Sequence, residues 1–169
     1  MNTTENTAQE KQPRIKDPMK IVKIAAAVLF FIAVAALGRA FTDTTSDWYT
    51  ALIKPALQPP GAVFGIVWSV LYILLAVSAS LAITNPQSTS QTPLLYAITG
   101  VLNVLWSYAF FTLQNPAGAL FVLALIIITA VLLFAHVYRI NKTAAYLLIP
   151  YILWLFFALY LNYEIAFLN

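Results

Sequence analysis

Ala62–Ile83 reads AVFGIVWSVLYILLAVSASLAI, a run of 22 residues without a charge. A helix needs roughly 20 apolar residues to cross the hydrocarbon of a bilayer. The run is continuous and does not alternate, which excludes a barrel strand. A helix satisfies its own backbone hydrogen bonds, as hydrocarbon demands. The run lies inside a larger charge desert: none of the 84 residues from Pro55 to Tyr138 is Asp, Glu, Lys or Arg. A second gap extends from Thr143 to Tyr163. The chain is 62% hydrophobic and 9% charged, whereas a soluble domain carries about a quarter charged residues. Too little polar surface exists to cover a soluble globule.

Four further segments are similarly long and predominantly apolar: Ile21–Phe41, Pro93–Leu113, Ala117–Val137 and Ala144–Ile165. The predicted fold is therefore all-α, an integral membrane bundle of five transmembrane helices. The first 20 residues are polar and lack periodicity, and read as a disordered tail ahead of a domain covering residues 21–169. The separators fit a bundle. Thr84–Thr92 is a polar turn. Gln114–Pro116 is minimal, with Asn115 placed to cap and Pro116 at the first helical position, so the third and fourth spans are antiparallel neighbours. Residues 42–61 form a much longer connection, and long ordered loops usually carry function. Pro150 predicts a kink or a late start in the fifth span. Gly61, Gly65, Ala33, Ala36 and Ala40 permit close helix contact.

Lys and Arg set the orientation. Lys11, Arg14, Lys16, Lys20, Lys23, Arg139 and Lys142 share one side, and only Arg39 and Lys54 the other. The N-terminus is predicted cytoplasmic if the protein resides in a bacterial inner membrane, with the long loop facing away. In a eukaryote a mitochondrial membrane is expected. Cys is absent and His136 stands alone, which excludes thiolate and multi-histidine metal centres. His136 reads as an interfacial side chain, and no cofactor is called. Nothing resembles a basic aromatic groove for nucleic acid.

Inside the spans, three helix faces carry residues that lipid would not select. Phe64, Trp68 and Tyr72 recur every four residues. Asn103, Trp106 and Phe110 share a face of the third span, and Tyr151, Trp154, Ala158 and Asn162 one of the fifth. An unpartnered amide in hydrocarbon costs several kcal/mol, so both Asn should face the interior and carry the Trp with them. Either the aromatics pack a dry core, or Trp68, Trp106 and Trp154 surround a hollow. Arg39 is either an interfacial anchor or an anion-binding group above that hollow. Paired carboxylates, a Ser-His set and a phosphate loop are all missing from the spans, so ordinary acid-base or nucleophilic chemistry has no apparatus.

The stretch WYTALIKPALQPPGAVFGIVWSVLY (Trp48–Tyr72), with LNVLWSYAFF (Leu102–Phe111) and LLIPYILWLFFALYLN (Leu147–Asn162), resembles the TspO/MBR family of tryptophan-rich sensory and translocator proteins, the peripheral-type benzodiazepine receptors. The resemblance covers Arg39 to Asn162. It implies a five-helix bundle, often a homodimer in membrane lipid, that binds porphyrin, haem or drug-like benzodiazepine-type molecules. The implied pocket uses Phe64, Trp68, Tyr72, Asn103, Trp106, Phe110, Trp154, Ala158 and Asn162. Arg39, Trp48, Tyr49, Lys54 and Pro59 would form a lid and meet ligand carboxylates. Some bacterial relatives degrade protoporphyrin in light, which would fall to Trp68 and Trp154 here. The expectation is thus a tetrapyrrole receptor or sensor, with a light- and oxygen-dependent porphyrin-degrading enzyme or a transporter of amphiphiles as alternatives. No basic residue follows Tyr160 or Tyr163, which departs from the family's sterol pattern, and Gly118 stands where many animal members carry Trp.

Overall fold

The structure, a computed structural model, describes residues 17–169. The predicted tail falls outside these residues up to position 16. Its last three residues already belong to the first helix, α1 (Pro18–Phe41). Asp17 caps that helix by accepting from the Met19 amide at 3.1 Å, and Pro18 occupies the first turn, where its missing N–H costs nothing.

The remaining elements are α2 (Asp47–Ala51), α3 (Gly61–Ile83), α4 (Gln91–Ser107), α5 (Pro116–Ile140), α6 (Lys142–Tyr146) and α7 (Ile149–Leu168). Five stretches are long and apolar enough to cross a membrane: α1, α3, α4 with the turn that follows it, α5, and α6 with α7. No strand occurs among the described residues. Apolar side chains cover the outside, with Ile32 58%, Phe121 68% and Ile128 57% exposed. Such a surface is tolerable only against lipid, and the molecule is an integral multi-pass membrane protein.

The helices form a ring. α1 packs on α3 and α4, α5 packs on α4 and α7, and the ring closes through a thin seam between α3 and α7. Where α1 meets α4, a side chain on Gly100 would lie 2.6 Å from the Phe30 ring and 2.9 Å from Val34. Glycine is what lets these two helices approach. The alanines expected to serve contact on α1, Ala33, Ala36 and Ala40, are instead exposed. The buried small positions are Ala27 and Gly38, because α1 turns the other face inward.

Two spans differ from uninterrupted helices. After Ser107 the third span widens into a π-helical turn, Tyr108–Thr112. It ends at Gln114, whose φ of 49° is left-handed, before Asn115 caps α5 by accepting from the Gly118 amide at 2.8 Å. The fifth span is broken between α6 and α7. Pro150 sits in the first turn of α7, so it marks a late start and removes no needed N–H. The break is pinned from inside: Ser78 on α3 donates to the Ala144 carbonyl at 2.7 Å and pairs with the Tyr96 hydroxyl at 2.6 Å. At the same end His136 bonds Thr92 at 3.0 Å, joining α5 to the start of α4.

Candidate ligand-binding cavity

Between the upper halves of α1, α3, α4 and α7 lies a cavity of about 810 Å³. That is within the range of about 300–1,000 Å³ found for small-molecule sites. Its wall gathers most of the side chains singled out by sequence. Phe64, Trp68 and Tyr72 come from α3, Asn103, Trp106 and Phe110 from α4 and its π turn, and Ala158 and Asn162 from α7. Trp68 and Trp106 stack at 6.3 Å and 28°, and Phe110 continues the aromatic wall 5.6 Å beyond Trp106.

The two buried amides do different things. Asn162, 2% exposed, accepts from the Trp106 indole N–H at 3.0 Å and donates to the Pro116 carbonyl at 2.8 Å. It ties α7 to α4 and α5 and fixes the Trp106 ring. Asn103, also 2% exposed, donates to the Thr99 carbonyl at 2.7 Å and the Tyr151 hydroxyl at 2.6 Å. A carbonyl can only accept, so the amide cannot be turned round. Its Oδ1 is left buried without a partner.

Trp154 departs from the expectation. It does not line the cavity. It stands behind Phe64, edge to face at 5.5 Å, in a separate groove at the thin seam between α3 and α7. Its indole N–H is buried and unpartnered. The fifth-span stripe misleads because the helix turns Ala158 and Asn162 to the cavity, while Trp154, four and eight residues earlier, drifts round toward α3 at 100° per residue.

Residues 42–60 roof the cavity. Ser46 caps α2 by accepting from the Tyr49 amide at 3.3 Å. Trp48 sits edge-on to Phe110 at 5.8 Å, and Tyr49 lies 5.5 Å from Phe111. The wider π turn is what brings Phe110 and Phe111, adjacent in sequence, to the roof together. The Asn169 side chain clasps the loop: its Oδ1 accepts from the Ile53 amide at 2.9 Å, and its Nδ2 donates to the Ile53 carbonyl at 3.2 Å. Of the expected lid residues, Arg39 and Tyr49 reach the cavity, and Trp48, Lys54 and Pro59 do not. Lys54 instead lies over the Tyr49 ring at 4.7 Å, a cation–π contact. Burial holds the Tyr49 phenol above its usual pKa, so it stays neutral. Arg39 donates to the Thr42 carbonyl at 2.8 Å, while the Asp43 carboxylate is occupied by the hydroxyl and amide of Thr45 at 2.7 and 2.8 Å.

Sequence reasoning missed Gly38 on α1 and Thr42 at its C-terminal cap, Ser107 and Phe111 on the third span, and Gln58 in the roof, all of which line the cavity. The spacing of Gly38 and Thr42 at i and i+4 was a signal, overshadowed by the alanines on the neighbouring face. The π turn left none. Among the described residues no cluster of His, Cys, Asp or Glu could hold a metal ion.

The model of the TspO/MBR family matches residues 26–168. The chain belongs to the TspO/MBR family. It is 34% identical over 154 residues to Tryptophan-rich protein TspO of Chlorobaculum tepidum, covering 89% of this chain and 98% of that protein. It is 35% identical to the protein of the same name from Archaeoglobus fulgidus, covering 89% and 99%. Homo sapiens Translocator protein is 34% identical over 120 residues, covering 69% and 71%. For this TspO/MBR member the cavity, its aromatic wall and its roof all lie within the matched residues.

Proposed function

We propose that this protein is a membrane receptor or sensor that binds flat, conjugated ligands, tetrapyrroles such as protoporphyrin and haem and benzodiazepine-type molecules, in the roofed cavity. One observation carries the reading: a hollow of about 810 Å³ walled by the stacked Trp68 and Trp106. Aromatic faces bind planar apolar rings by stacking and burial. Arg39 at the mouth offers a cation to a ligand carboxylate. Binding here would rest mainly on stacking: the cavity wall contains no His or Met, and Tyr49 and Tyr72 are the lining side chains of a type that can ligate haem iron. The sensory and translocator names of the relatives agree with a receptor role.

Titrating protoporphyrin into the purified protein should quench tryptophan fluorescence and raise the melting temperature. Trp68→Leu should weaken binding at least tenfold, while Trp154→Phe, behind Phe64, should change it less than threefold. Equal affinity in the Trp68 variant would remove the cavity as the site.

A second reading is photo-oxidation of bound porphyrin by oxygen. The Trp68 indole, redox-active and facing the hollow, favours it. Illumination of the complex should then yield a new absorbing product that Trp68→Phe abolishes.

A further inference from the structure

The two ends of the bundle differ in charge. Among the described residues the roof end carries Arg39 and Lys54 against Asp43, Asp47 and Glu164. The opposite end carries Lys20, Lys23, Arg139 and Lys142 against Asp17 alone, and that carboxylate already accepts from the Met19 amide. Two of these cations stand on a fixed corner, where α5 gives way to α6. The Asn141 amide donates to the Val137 carbonyl at 2.8 Å, and its side chain caps α6 by accepting from the Ala144 amide at 3.0 Å. Asn85, from the connection between α3 and α4, donates to the Ile140 carbonyl at 3.1 Å. The corner so pinned presents Arg139 and Lys142 from two helices, both exposed. An aromatic ridge runs from them along the lipid-facing surface. Lys142 lies 5.6 Å over the Tyr138 ring, Tyr138 meets Tyr146 of α6 edge-on at 6.0 Å, and Phe134 follows one turn away at 5.8 Å. Val131, 46% exposed, continues the same face of α5.

We propose that this corner binds the phosphate of an anionic glycerophospholipid, with one acyl chain laid along Tyr138, Phe134 and Val131. Charge complementarity names the occupant: two cations at the membrane boundary, at an end of the molecule that lacks acidic side chains to neutralise them. The Arg139 guanidinium offers paired N–H donors in the geometry that phosphate accepts. A ring contact at 5.6 Å engages the charge of Lys142 and leaves its N–H donors for phosphate oxygens. Tyrosine rings favour the headgroup level of a bilayer, so Tyr138 and Tyr146 set the depth at which phosphate and chain diverge. A soluble phosphate would meet the same two cations but gain nothing from the ridge. Lys20 and Lys23 of α1 stand over no aromatic ring among the described residues, and their attraction for an anionic leaflet is general rather than a site. The corner lies at the end opposite the roof, so the proposal does not depend on what the cavity binds.

Native mass spectrometry of the full chain in detergent, titrated separately with phosphatidylglycerol and phosphatidylcholine of identical chains, reads the affinity of the first lipid retained. Phosphatidylglycerol should bind at least fivefold more tightly than phosphatidylcholine. Arg139→Gln with Lys142→Gln should bring the two lipids level. Lys20→Gln with Lys23→Gln removes the same charge from the same end and should leave the preference within twofold of the parent. Tyr138→Leu, which alters no charge, should weaken phosphatidylglycerol at least twofold, and it tests the ridge even if the double variant at the corner is unstable. Glycerol phosphate without chains, in tenfold excess, should not displace the lipid. No preference in the parent protein, or an undiminished one after both corner substitutions, would overturn the proposal. So would an equal loss in the α1 variant, which would reduce the effect to net charge, an unchanged affinity in Tyr138→Leu, or displacement by glycerol phosphate, which would make the corner a site for soluble anions.

Discussion

At the scale of single residues, the two intramembrane amides show how much chemistry a hydrocarbon setting forces into view. Both were legible in the sequence as inward-facing, since lipid offers an amide no partner. Which one is fully hydrogen-bonded and which keeps an unpartnered acceptor was not legible, because that depends on neighbours brought from other helices. Asn162 is saturated by Trp106 and Pro116. Asn162→Leu keeps the volume but orphans an indole N–H and a carbonyl. It should cost about 1 kcal/mol, lower the melting temperature in detergent, and weaken protoporphyrin binding by freeing the Trp106 ring. Unchanged binding would show that this ring's orientation is set by packing alone. Asp43 gives a pH prediction. Bonds from Thr45 hold its carboxyl below the usual carboxylate range. A depressed folded pKa means that its contribution to the roof is complete above the ordinary value and is lost as pH falls through the folded one. Amide exchange of Thr45, corrected for its intrinsic pH dependence, should therefore show constant protection between pH 5 and 8 and diminished protection only below about pH 4, the range in which an ordinary Asp carboxyl titrates.

At the scale of elements, hydropathy marked all five crossings, because runs of apolar residues are what a bilayer selects. It missed the interruptions, which arise from local geometry. The break before α7 follows from Pro150 and from the Ser78 bond to Ala144, and only the proline is visible in the sequence. The close crossing of α1 and α4 depends on Gly100. An added methyl there meets the half-buried Phe30 ring, which can swing aside, and the buried Val34, which cannot. Gly100→Ala should therefore destabilise by about 1 kcal/mol. Gly65→Ala, where space is open, should leave the melting temperature within a degree or so. Thermal unfolding of both variants, side by side, checks the assignment. The Trp154 stripe carries a similar lesson: residues four apart drift by about 40° at each step, so a stripe in the sequence does not stay on one face of the helix.

At the scale of the whole molecule, charge separates the two ends of the bundle. Lys20, Lys23, Arg139 and Lys142 belong to the end opposite the roof, and Arg39 and Lys54 to the roof end. For a bacterial inner membrane, the positive-inside rule predicts that the roof faces away from the cytoplasm. Single cysteines introduced at Thr50 and at Gln87, both exposed in connections between spans, should react with a membrane-impermeant maleimide from opposite sides of intact bacterial cells. Thr50→Cys should label from outside and Gln87→Cys only after lysis. Labelling in the reverse sense would invert the topology. Composition alone had fixed the class of molecule. The presence of a hollow needed the assembled ring, since an aromatic face reads the same whether it packs or lines.

The π turn at Tyr108–Thr112 has one more implication, which concerns chain length. A π turn accommodates one residue more than the regular turn it interrupts, so it acts as a phase shift between Trp106 and the Asn115 corner. Excising a single residue there would restore an ordinary helix and rotate everything beyond it by about 100°. Either Phe111 would leave Tyr49 or Asn115 would lose its place at the head of α5. The nine residues from Ser107 to Asn115 are therefore a spacing as constrained as any side chain within it, and counting the corresponding interval in a relative tells whether it can build the same roof.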